Sequence, residues 1–101
     1  MVRHGIEFPE EAITDFCRRN KIARLSLFGS IVRDDFSPES DVDVLVEFEP
    51  DGVPGLIRLA GIQRELGDLF GRQADLNTPK CFRPRLREMV MREAEVVYDR
   101  G

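Results

Sequence analysis

Residues 42–48 alternate strictly along the chain. Val42, Val44, Val46 and Phe48 fall on one side of an extended segment, and Asp43, Leu45 and Glu47 on the other. This period of two predicts a half-buried β-strand with acids on its second face. Residues 22–28, Ile-Ala-Arg-Leu-Ser-Leu-Phe, read as another strand, stopped by Gly29-Ser30. Ala74-Asp75-Leu76-Asn77 is a short strand bounded by Thr78-Pro79, and Val96-Val97-Tyr98 a short edge strand, its tyrosine a packing residue.

Helical periods lie between these strands. Phe8-Pro9-Glu10-Glu11 marks a helix start, with Pro in the first turn and acids at the positive end of the helix dipole. Ala12, Ile13, Phe16 and Cys17 then share one face, and Asn20 ends the helix. Leu56, Leu59, Ile62, Leu66, Leu69 and Phe70 recur at steps of three and four, an amphipathic helix of about four turns whose apolar positions are all assigned to the core. Gly71 is its C-terminal cap. A last helix runs from Pro84 through Leu86, Met89 and Val90 to about Ala94. The alternation of helix and strand predicts an α/β (α+β) protein, order αβαβαβα, the second helix being a turn after Gly29-Ser30. Asp34 to Glu39, with Pro38, is a polar loop.

Composition narrows the function. The 101 residues carry 15 Lys+Arg and 19 Asp+Glu, a net charge of −4. That length suits a single domain over 1–101, with its core at about 8–99. The acidic balance argues against direct nucleic-acid binding, which needs clustered bases. No apolar run approaches the roughly 20 residues of a membrane span, and residues 1–7 lack the apolar centre of a signal peptide. A cytoplasmic location and no membrane association are the expectation. Cys17 and Cys81 are 64 positions apart, with one histidine and no CxxC, which argues against zinc. Both are expected as reduced, small buried residues. Triad or cysteine chemistry would have to use His4, placed here near a frayed terminus.

The charge is segregated. Residues 34–51 hold eight acids and no base, and residues 80–93 five bases against two acids. Within the acidic stretch, Asp41 and Asp43 are two apart, so an extended backbone points both carboxylates to one side. Converging carboxylates repel unless a cation neutralises them, and hard oxygen ligands suit Mg²⁺. With nine Asp in the chain, such a pair arises by chance roughly once. Its context makes it informative. Gly29-Ser30 closes the preceding strand, with ten residues between Ser30 and Asp41. Glycine lets a phosphate approach the backbone, Ser30 offers a hydroxyl and an N–H, and Arg33 one turn on offers a fork of donors. Asp75, on the next short strand, can join the aspartates if the two strands are neighbours. Three carboxylates could then hold two metal ions.

Leu27-Phe28-Gly29-Ser30-x-x-Arg33, followed by Ser40-Asp41-x-Asp43-x-Leu45-Val46-Glu47-Phe48, resembles the signature of the nucleotidyltransferase superfamily with the DNA polymerase β-like fold. Over about residues 8–99 the chain is similar to the minimal nucleotidyltransferases that act as MntA-type antitoxins beside HEPN-domain toxins. The resemblance implies a small mixed sheet flanked by about four helices. It implies Asp41, Asp43 and Asp75 as catalytic metal-binding carboxylates, Gly29, Ser30 and Arg33 as nucleotide-binding residues, and two Mg²⁺ with ATP as substrate. Asp34 departs from the pattern, since many relatives carry Gly there. The implied reaction transfers AMP from ATP to a hydroxyl, for the antitoxin branch a tyrosine of the partner toxin in a hetero-oligomer. Two alternatives stay open: a non-catalytic antitoxin that neutralises its partner by contact, and a nucleotidyltransferase for a small molecule.

Overall fold

The computed structural model describes residues 1–100. The chain opens on a small hairpin, β1 (Val2–Arg3) and β2 (Ile6–Glu7). There follow α1 (Glu10–Arg19), β3 (Ile22–Phe28), a 3₁₀ turn (Gly29–Val32), β4 (Val42–Phe48) and α2 (Leu56–Phe70). The chain continues with β5 (Ala74–Asn77), a second 3₁₀ turn (Pro79–Cys81), α3 (Pro84–Glu93) and β6 (Glu95–Asp99). The predicted terminal strand is present and longer than expected. The second of the four expected helices is the Gly29–Val32 turn, so three α-helices remain among the described residues.

The main sheet has the order β5-β4-β3-β6. β3 pairs antiparallel with β4 and β6, while β4 pairs parallel with β5. The parallel pair follows from chain connectivity, because α2 carries the chain back to start β5 beside the start of β4. Leu25 and Leu27 of β3 stand opposite Val46 and Val44 of β4. These four join Ile13, Phe16 and Cys17 of α1 and Ile62, Leu66 and Phe70 of α2 in one buried cluster. The opposite face of β4 carries Asp43, Leu45 and Glu47, as the alternation predicts, and Leu45 there is buried as well.

The apolar stripes are shorter than their periodicity implies. Leu56 is 85% exposed and Ile57 92%. A 15-residue helix spans about 22 Å, whereas four-residue β5 spans about 13 Å. The first turn of α2 therefore overhangs the sheet. Leu86 and Met89 of α3 are also exposed, and Val90 alone of that helix is buried. Gly71 does cap α2, in the left-handed conformation at φ +67°.

The N-terminus is tied down, contrary to expectation. His4 (φ +50°) and Gly5 (φ +78°) form the two-residue turn of the hairpin, both in the region such turns require. The His4 ring places Nε2 2.7 Å from the Arg33 carbonyl oxygen and stacks on Phe36 at 5.0 Å. Arg3 pairs with Glu95, its Nε donating to the carboxylate at 3.2 Å.

The two cysteines differ in reactivity. Cys17 is buried, and burial pushes its thiol up to about 12. Cys81 is exposed rather than buried, because the Pro79–Cys81 turn lies at the surface. Hydrogen bonding with the Thr78 side chain, 3.4 Å away, and with its backbone lowers the Cys81 thiol. Iodoacetamide is expected to add one carbamidomethyl group to the native protein, on Cys81, and a second only after denaturation. Peptide mass mapping checks this, and native labelling of Cys17 would contradict its burial.

Candidate active site

β4 sits inside the sheet, and its residues Asp43, Val44 and Leu45 have a partner on both sides. Asp43 stands opposite Phe28 across the antiparallel pair and level with Asp75 across the parallel pair. Register partners point to the same face of a sheet. Asp43 and Asp75 therefore meet on the face away from α1 and α2. The condition set by the sequence, that the second and third strands be neighbours, is fulfilled. Asp41 lies just before β4 and is exposed.

Charge and burial act together on the middle carboxylate. Burial raises the Asp43 carboxyl above its usual range, and the charges of Asp75 and Asp41 raise it further. The charge of Arg33 opposes them. Ionising Asp43 here costs energy unless positive charge arrives.

Gly29 begins the turn after β3 at φ +77°, where side chains are rarely accommodated. A Cβ at this position would come 3.2 Å from the Asp43 carboxyl carbon and closer still to its Oδ2. The glycine is thus demanded twice, by its backbone angle and by the carboxylate packed against it. Ser30 follows within the Gly29–Val32 turn, and its carbonyl accepts the Arg33 N–H at 3.0 Å.

A family model for the nucleotidyltransferase domain matches residues 9–97, which include the whole of this arrangement. The chain is a nucleotidyltransferase. Protein adenylyltransferase MntA of Thermococcus cleftensis is 34% identical over 77 residues, covering 76% of this chain and 74% of its own. A solved structure of a minimal nucleotidyltransferase is similar at a TM-score of 0.72 and 36% identity, covering 85% of this chain and 86% of the other. A toxin–antitoxin crystal structure with AMP-PNP shares the fold at a TM-score of 0.73 and 20% identity, covering 91% of this chain and 74% of the other. The chain belongs among the minimal, MntA-type members of the family.

The donor set of this nucleotidyltransferase fits Mg²⁺. It consists of carboxylate oxygens, and the mutual repulsion that raises Asp43 is what a divalent cation relieves. Among the described residues, no three His, Cys, Asp or Glu side chains close into a cage by themselves. Mg²⁺ characteristically takes one or two carboxylates and completes its shell with water and substrate phosphates.

Arg33, expected to bind the nucleotide, is held by carboxylates in this structure. Its Nη1 donates to Glu93 of α3 at 2.7 Å and its Nε to Asp35 at 3.3 Å. The guanidinium is exposed beside the site and already engaged with carboxylates. Of the basic segment 80–93, Arg87 turns inward to the backbone, donating to the carbonyls of Pro79 (2.8 Å) and Phe82 (3.2 Å). Three neighbours of the site escape a reading of the sequence: Glu93, which pairs with Arg33, Phe36, on which His4 stacks, and Arg72, which bonds the backbone of residues 37–40. Glu93 is one acid of an amphipathic helix, Phe36 a lone aromatic in a polar loop, and Arg72 a base after a helix cap. Each has an ordinary local explanation, and only its distant partner distinguishes it.

Proposed function

We propose that this nucleotidyltransferase transfers AMP from ATP to the hydroxyl of a tyrosine on a HEPN-domain toxin, and so acts as the toxin's antitoxin. The observation that carries the reading is the register of β4 with β5, which sets Asp43 beside Asp75 next to a glycine that admits no side chain. Gly29 and Ser30 receive the nucleotide phosphates, with no side chain at Gly29 to block their approach. Arg33 supplies a further cationic fork at the rim. Asp75 accepts the proton of the attacking hydroxyl. The tyrosine oxygen forms a bond to the α-phosphorus, the bond to the bridging oxygen breaks, and pyrophosphate leaves with that electron pair. Two Mg²⁺ ions, held by Asp41, Asp43 and Asp75, would supply charge neutralisation on the phosphates.

The partner is proposed from what similar proteins assemble with. One shares the fold at 20% identity and is described as an MntA–HepT complex. Another is an AMPylated Shewanella oneidensis HEPN toxin with its MNT antitoxin, also at 20% identity. The chain is proposed to work in the cytoplasm, where ATP is abundant, and none of its described helices is long and apolar enough to cross a membrane.

The test combines the purified chain with ATP, Mg²⁺ and a HEPN-domain protein of the same genome. The partner is expected to gain the mass of one or more adenylyl groups, mapped to tyrosine by fragmentation. No gain with any nucleotide would refute the reading. A double Asp41→Ala, Asp43→Ala variant that protects cells as well as the wild type would establish neutralisation by contact instead.

A further inference from the structure

We propose that Arg72 is a positioning residue of this site. It holds the loop of residues 37–40, and through it Asp41, in place beside Asp43 and Asp75. Asp43 and Asp75 are fixed by strand pairing. Asp41 has no such support, since it precedes β4 at the end of a polar loop. A ligand of that kind needs its supporting shell fixed to within about 0.5 Å.

Arg72 supplies that support. Its Nε donates to the Ser40 carbonyl at 2.9 Å and its Nη2 to the Ser37 carbonyl at 2.9 Å, with a further bond to the Pro38 carbonyl. The planar fork thus gathers three carbonyls of one loop. Within the loop, Ser40 Oγ accepts the Ser37 N–H at 3.0 Å and lies 3.1 Å from Ser37 Oγ. The Arg72 guanidinium also sits 4.8 Å from the centre of the Phe36 ring, on which His4 stacks. The hairpin, the loop and the end of α2 meet in this stack.

The placement of Arg72 along the chain matters equally. It follows the Gly71 cap, with its own N–H donating to the Gly67 carbonyl at 3.0 Å. It stands just before β5, where the Val42 N–H donates to the Gln73 carbonyl at 3.0 Å and Asp43 is level with Asp75. One residue therefore locks the segment that delivers Asp41 to the segment that delivers Asp75. Lysine cannot replace it, because a single ammonium lacks the fork that reaches all three carbonyls.

The assignment of Asp41 as a metal ligand rests on the proposed nucleotidyl transfer, so the experiment has two arms. The first needs no metal: amide hydrogen exchange of residues 37–41 is expected to accelerate at least about tenfold in Arg72→Met. The second measures Mn²⁺ affinity by water-proton relaxation, expected to weaken about tenfold in Arg72→Met and at least about fivefold in Arg72→Lys. In partner modification, the KM for Mg²⁺ rises more than kcat falls. Phe36→Leu keeps the fork and removes the ring, and shifts both arms the same way by less. It carries the test if Arg72→Met does not fold. Unchanged exchange and unchanged affinity in a folded variant overturn the proposal, as does full recovery by lysine. A wild-type chain that binds no Mn²⁺ overturns the metal reading instead, and exchange alone then decides for Arg72.

Discussion

Asp43→Asn is expected to abolish AMP transfer and, near neutral pH, to make the protein more stable. The first effect follows from position: Asp43 is the middle carboxylate, level with Asp75 and packed against Gly29. Its loss is expected to lower the rate by at least about a thousandfold. The second follows from the environment that raises its carboxyl above the ordinary value of 3.8. The folded chain holds this proton to higher pH than the unfolded chain. Stability is therefore full at low pH and is lost as pH rises from the ordinary aspartate value through the raised one. Asparagine never ionises and escapes that loss. Its melting temperature is expected to exceed that of the wild type at neutral pH, with the gap closing in acid. Mg²⁺ reverses the order, since it stabilises the wild type by mass action and finds one carboxylate fewer in the variant. Thermal melts at two pH values, with and without Mg²⁺, check this together with intact-mass assays of transfer. A variant less stable than the wild type at neutral pH would show that the carboxylates do not strain the fold.

Gly29→Ala is expected to damage both stability and activity. At φ +77° an alanine costs about 1 kcal/mol or more in backbone strain alone. Its Cβ also meets the Asp43 carboxylate, which cannot yield easily because Phe28 and Asp75 bracket Asp43 in the sheet. A total loss of about 2–3 kcal/mol is expected in urea unfolding. Transfer is expected to fall at least about a hundredfold, since displacing Asp43 misaligns the reacting groups. Gly71→Ala separates the two causes: Gly71 has φ +67° with no atom within 4 Å of its Cβ position. It is expected to lose only about 1 kcal/mol and to keep full activity. Equal losses at the two glycines would show that contact with Asp43 contributes nothing.

Much of this site is legible in the chain because it rests on short-range rules. The alternation of residues 42–48 placed Asp43 on the face opposite Val42 and Val44, and that face is where it lies. Gly29-Ser30 ended a strand, and Gly29 takes the positive φ of a turn there. The same rules overreached where a helix had nothing to pack on. Leu56 and Leu86 satisfy helical periodicity as well as Ile62 and Val90 do, yet stand in solvent. Periodicity describes what a helix could bury, and burial needs a surface opposite. The N-terminus failed for a related reason: His4 looked untethered because its partners, Arg33 and Phe36, lie about 30 residues away.

By itself, the sequence determined the main elements from α1 onward, the oxygen donors available and, through the Gly-Ser and Asp-x-Asp spacing, the family. These are properties of neighbours along the chain, where period and turn chemistry act. The tertiary structure alone decided that β5 lies parallel to β4 in the register that sets Asp75 beside Asp43. It also decided that Arg33 pairs with Glu93 and that Arg72 grips the loop before Asp41. Those contacts join residues tens of positions apart. Their geometry is settled by which surfaces the core brings together, and no local pattern encodes it.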